Sequence, residues 1–187
     1  MESLDNLDNP NEVQVLPVAL KWGAIGGLLS IVWSQVSLMT GMTTFVPDEQ
    51  AAGMSALSSV VGFAIVIVAV VMAVKEIKAQ QGGYISFGKA FGGGYLASIV
   101  IALFAALYLM VYFNVIDPDA LSFIQDSARD GMEDRGLSDE QIDEQMGMME
   151  TFTSPMAITL MGFFGSAIIY AIISLIIAAV MKKDRAF

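Results

Sequence analysis

Four long stretches of this chain contain no Asp, Glu, Lys or Arg: residues 22–47, 51–74, 90–116 and 151–181. Together they make up more than half of its 187 residues. A hydrocarbon core about 30 Å thick is crossed by roughly 20 apolar residues of helix, so each stretch is long enough to span a bilayer. A composition that is 56% apolar and 15% charged agrees, and excludes both a disordered chain and an ordinary soluble domain. Too little remains for a second domain. The expected architecture is all-α: a four-helix integral membrane bundle with spans at about 19–40, 53–74, 90–114 and 156–180. These spans form one membrane domain over residues 18–183, between a flexible acidic tail at 1–17 and a short C-terminal tail at 184–187.

Cysteine and histidine are both absent. Disulfides, thiolate nucleophiles, zinc sites and imidazole bases are therefore excluded. A formal net charge of −10 opposes nucleic acid as a partner. The first 17 residues carry Glu2, Asp5, Asp8 and Glu12 without a Lys or Arg, which is not the pattern of a cleavable leader.

Orientation follows from the basic residues. If four helices alternate across the bilayer, Lys21, Lys75, Lys78, Lys89, Lys182, Lys183 and Arg185 share one side. The positive-inside rule puts that side, with both termini, in the cytoplasm. Arg129 and Arg135 then fall outside, in a segment at 117–154 that also carries eleven carboxylates.

That outer segment contains two helix starts. Asp117-Pro118 offers a cap followed by proline at the first helical position, with Leu121, Ile124, Ala128 and Met132 recurring at helical spacing until Arg135-Gly136. Ser138 and Gln141 make a capping box, Leu137 and Ile142 a hydrophobic staple, and Met146 and Met149 continue the stripe. The pattern predicts an amphipathic helical hairpin between the third and fourth spans, with its acidic face in water.

Small residues mark where the spans can meet closely, since lipid removes the hydrophobic drive between helices. The third span has Ala90, Gly94, Ser98, Ala102 and Ala106 at intervals of four, and the first has Gly26, Ser30 and Ser34. Ser58 and Gly62 in the second, and Gly162, Ser166, Ser174 and Ala178 in the fourth, complete the set. Gln35 is the strongest polar group within a span, suited to an interhelical hydrogen bond or to lining a polar path with Ser34 and Ser37.

Chemical motifs are weak. Residues 83–89 match the GxxxxGK spacing of a phosphate loop, but Ala90 stands where a Ser or Thr is needed to hold magnesium, and no strand is expected before it. Glycines turning the chain, Phe87 at the interface and Lys89 snorkelling to headgroups are the plainer account. The triplet Gly92-Gly93-Gly94 weakens the start of the third span and suggests a hinge. Met146, Met148 and Met149 read as adaptable apolar filler rather than as a copper site, and the outer carboxylates lack calcium-loop spacing. No catalytic, cofactor-binding or metal-binding residues are expected, and no enzyme.

One segment is more specific. The run Gly82-Gly83-Tyr84-Ile85-Ser86-Phe87-Gly88-Lys89-Ala90-Phe91 is followed by an Ile116-Asp117-Pro118 exit, Ser154-Pro155, and Ser174-Leu175-Ile176-Ile177-Ala178-Ala179 before a Lys pair. With these features the chain resembles the bacterial four-helix membrane family catalogued as domain-of-unknown-function family 4199, over about residues 16–183. The resemblance implies a bacterial inner-membrane location and brings no activity or ligand with it. The expected function is a non-enzymatic accessory or scaffold subunit, with a small transporter or oligomeric pore as the alternative. Candidate partner-contact or packing residues are Phe87, Gly88, Lys89, Gly94, Ser98 and Gln35. The expected partners are membrane lipids and either further copies of the chain or another membrane protein.

Overall fold

The computed structural model describes residues 14–44 and 52–183. The expected flexible tail therefore lies mostly outside the described residues, as do Arg185 and the rest of 184–187. Among the described residues there are six α-helices and no strand: α1 Val15–Met39, α2 Ala52–Gln80, α3 Phe87–Val111, α4 Ala120–Glu133, α5 Asp139–Phe152 and α6 Pro155–Met181. Four of these, α1, α2, α3 with its continuation to Ile116, and α6, are long and apolar enough to cross a membrane. Their outward faces are strongly apolar, with Leu28, Val60, Leu107 and Ile168 all more than half exposed. Such surface is stable against lipid and not against water.

The spans run longer than their uncharged cores. α1 begins at Val15, inside the stretch assigned to the tail, and Pro17 is tolerated because first-turn N–H groups have no intrahelical partner. At 29 residues α2 is about 44 Å long at 1.5 Å per residue. Its last turns, carrying Lys75, Glu76 and Lys78, extend past the uncharged stretch.

α3 organises the fold. It packs extensively against α1 and α6 and also against α2, whereas α2 and α6 touch lightly. The stripe Ala90, Gly94, Ser98, Ala102 and Ala106 is buried along its whole length within the chain. Gly94 lies where an added Cβ would come 3.0 Å from Val70 Cγ1 and 3.2 Å from Val74 Cγ2. Helix α3 runs unbroken through Gly92-Gly93-Gly94, so the expected hinge is a regular helix whose last two glycines are buried in packing. In α1 the expected Gly26 is buried, an added Cβ there lying 2.7 Å from Ala69 Cβ on α2 and 2.9 Å from Ile101 Cδ1 on α3, and Gly23 and Gly27 approach α3 as closely, against Val100 and Phe104. The main core joins Val18 and Ala19 to Val70, Val74, Ile77, Ala97, Ile101 and Ala178. It lies toward the end where α1 and α3 start and α2 and α6 finish, here termed the basic end.

At the opposite, acidic end, Tyr112, Phe113 and Ala120 form a second cluster with Leu38, Tyr108 and Ile158. α3 leaves through a π-type turn at Tyr112–Ile116. Helix α4 starts at Ala120, not at Pro118, because Asp117 N–H is taken by the Tyr112 carbonyl and Asp117 closes the preceding turn. The start of α5 matches the sequence pattern: Ser138 N–H donates to Gln141 Oε1 at 3.1 Å, and Ile142 is buried. Ser154 caps α6, its Oγ accepting from Ala157 N–H at 3.2 Å with Pro155 at the first helical position.

Candidate functional site

Two places concentrate polar chemistry: the closure of the basic end, and a groove between α1 and α2 toward the acidic end.

At the basic end, α2 stops in a Schellman turn. Gly83 N–H reaches the Lys78 carbonyl at 3.0 Å and Gly82 N–H the Ala79 carbonyl at 3.1 Å, with Gly82 at φ +71°. The turn delivers Ile85, which is 1% exposed, onto the end of α6. There Ile85 and Lys183 exchange both backbone hydrogen bonds as one antiparallel bridge, at 3.0 and 2.9 Å. Lys78 Nζ donates to the Met181 carbonyl at 2.8 Å, and Lys183 Nζ sits 5.3 Å over the Tyr84 ring. On the other flank Glu76 accepts from Lys21 Nζ and from Trp22 Nε1, each at 2.6 Å. The run 82–91 is thus a clasp that ties the α2–α3 connection to the chain's last helix. A phosphate loop instead opens from a strand.

The expected site residues separate into two groups. Phe87, Gly88 and Lys89 are exposed at the start of α3, and Phe87, Phe91 and Tyr95 stack in a ladder with centroids 6.3 and 5.6 Å apart. Gly94 and Ser98 are interior. Ser98 Oγ lies 3.0 Å from Ser174 Oγ and 2.8 Å from the Gly94 carbonyl, joining α3 to α6. Gln35 pairs with α3, its Oε1 accepting from Tyr108 OH at 2.6 Å.

The groove has a volume of about 310 Å³. Ser30, Ser34 and Ser37 line it from α1, Ser58 and Ser59 from α2, and Thr43 from the connection beyond α1. Ser37 Oγ and Ser58 Oγ are 2.7 Å apart, and Thr43 Oγ1 donates to Ser58 Oγ at 3.0 Å. Trp33 Nε1 donates to the Ser58 carbonyl at 3.0 Å. Ser30 Oγ is buried with no hydrogen-bond partner among the described residues. Leaving a buried hydroxyl unpaired costs about 1–3 kcal/mol. Gln35 is not among the lining residues, although the serines beside it are.

Sequence reasoning missed Glu76, Trp33, Ser59 and Tyr170. Glu76 was legible as the one acid among Lys75 and Lys78, facing Lys21 across the same membrane boundary. The part played by Trp33 and Tyr170 was not, because nothing in either run tells which neighbouring helix an aromatic ring meets.

A family model matches residues 21–183, and its description is Protein of unknown function (DUF4199). The chain belongs to this family. The match takes in α1 from Lys21 onward, the whole of α2 to α6, and the clasp, and it ends at Lys183, the bridge partner of Ile85. No curated protein and no solved structure matches the chain.

Proposed function

We propose that this family member is a non-enzymatic accessory or scaffold subunit of the bacterial inner membrane, with both termini in the cytoplasm. In this reading the four spans form a bundle, and α4 and α5 form a hairpin over the outer ends of α3 and α6. The salt bridge Arg129–Asp143 at 3.2 Å and the Gln125–Thr153 bond at 2.9 Å support the hairpin. The positive-inside rule supports the orientation, since Lys21, Lys75, Lys78, Lys89, Lys182 and Lys183 all fall at the basic end.

The observation that carries the reading is the clasp. It leaves Tyr84, Phe87 and Lys89 exposed on a backbone tied to α6, and a pre-ordered aromatic and basic face loses little entropy on docking. The partner is another membrane protein or a second copy of this chain. Affinity purification from native membranes after mild crosslinking tests the assignment, with Phe87→Ala and Lys89→Ala combined. A partner lost in the double variant supports the surface, and one retained at full stoichiometry sinks it. Gly94→Leu is unsuitable for this purpose because Gly94 is packed against Val70 and Val74.

The second reading, a small transporter or oligomeric pore, is favoured by the hydroxyl-lined groove. Flux into proteoliposomes, with Ser30→Leu as the blocked control, tests it. Fluxes of ions and small solutes equal to those of empty vesicles would dispose of it.

A further inference from the structure

We propose that the groove between α1 and α2 is a water-accessible binding site for a small uncharged hydrogen-bonding molecule, such as a polyol or a primary amide. It reaches from Thr43, past the end of α1, to Ser30, nine residues before that helix ends. At 1.5 Å per residue that is a depth of about 14 Å, close to half of a hydrocarbon core about 30 Å thick. Hydroxyls border it on both helices, and none of its lining residues is charged. A dipolar ligand can trade hydrogen bonds with such a wall. An ion entering it would lose its hydration without meeting a counter-charge.

The state of the hydroxyls separates a binding site from simple helix packing. Ser37, Ser58 and Thr43 are bonded to one another, and Ser59 Oγ donates to the Ser55 carbonyl at 2.9 Å. Ser30 Oγ, at the deep end, is buried and unpartnered among the described residues. Ser30 borders the groove with its Oγ covered, so a ligand that draws the hydroxyl into the groove supplies the missing partner. Trp33, Phe63 and Tyr170 add aromatic faces suited to the C–H surface of a small polyol. The site requires neither transport nor a protein partner, so it stands or falls apart from both readings above.

The chain's two tryptophans are Trp22 and Trp33, and it has no cysteine, which makes the test clean. The full-length Trp22→Phe variant, reconstituted in vesicles, leaves Trp33 as the only indole. Acrylamide, an uncharged primary amide, is expected to quench Trp33 along a saturating curve, while iodide leaves it unquenched. Gly62→Leu is expected to abolish the acrylamide effect, because Gly62 lines the groove and an added Cβ there meets only Trp33 Cδ1, at 4.0 Å. A second, independent variant is Ser59→Cys in the otherwise wild-type chain, at an exposed lining position of the same groove, expected to react with N-ethylmaleimide and to resist a charged sulfonate thiol reagent. The proposal is overturned by absent or linear acrylamide quenching, by iodide quenching of equal strength, by quenching that survives Gly62→Leu, or by an unreactive Ser59→Cys.

Discussion

Individual side chains join the helices of this protein through small contacts whose cost can be measured. Ser98 and Ser174 hold α3 to α6 with one hydroxyl pair, buried on both sides. Interhelical hydrogen bonds in membrane proteins average about 0.6 kcal/mol by double-mutant cycles. A cycle of Ser98→Ala and Ser174→Ala, followed by unfolding in detergent micelles, should return a coupling of that order. Glycine positions divide more sharply. An added Cβ at Gly23 would lie 2.6 Å from Val100 Cβ and 2.8 Å from the Ala97 carbonyl, whereas at Gly88 it meets nothing within 4 Å. Gly23→Leu should therefore destabilise the protein by about 1–3 kcal/mol through overpacking. Gly88→Leu, measured by the same unfolding transition, should leave stability unchanged or slightly raised. Sequence reading found the α3 stripe and its Ser98 because the interval of four is uninterrupted there. In α1 it found Gly26 with Ser30 and Ser34 and passed over Gly23 and Gly27, because both sets share that interval and only the position of Val100 and Phe104 marks the second.

Among the elements, the two ends differ in how they are held. The basic end depends on a tight exit from α2 and one bridge to α6, so its weak points are Gly82 and Ile85. Gly82 has φ +71°, where a side chain costs about 1–2 kcal/mol, and truncating a buried isoleucine to alanine costs about 2–5 kcal/mol. Gly82→Val and Ile85→Ala are each expected to speed hydrogen exchange at residues 83–86 and 181–183 while leaving α4 and α5 unaffected. Equal acceleration across the whole chain would mean that the clasp is not a separate unit. Helices α4 and α5 were legible because amphipathic helices in water announce one apolar stripe, and their caps are written within four residues. The capping box at Ser138 and buried Ile142 stand where the pattern put them. The start of α4 was displaced because a π-type turn carried α3 onward to Ile116, and such a turn has no mark in composition.

For the whole molecule, the decisive experiment is topological. Ser138→Cys, added to a chain with no other cysteine, is expected to react with an impermeant thiol reagent from outside intact cells, because the capping residue Ser138 is exposed at the acidic end. Labelling only after lysis would invert the orientation. The sequence by itself determined the number of helices long and apolar enough to cross a membrane, the gathering of lysines at one end and of the 117–154 carboxylates at the other, and most helix starts. Each of these depends on an uncharged length, a local charge or a cap, and needs no knowledge of a neighbour. Tertiary structure alone decided which neighbour covers each span, that Ile85 closes against Lys183, and that a groove bordered by hydroxyls lies between α1 and α2. The reason is physical: a helix solvated by lipid is as apolar outside as inside, so its hydrophobicity carries no stripe, and small residues show where it can be approached but not by which helix. Only the fit of small residues against particular neighbours makes that choice, and it is made in three dimensions.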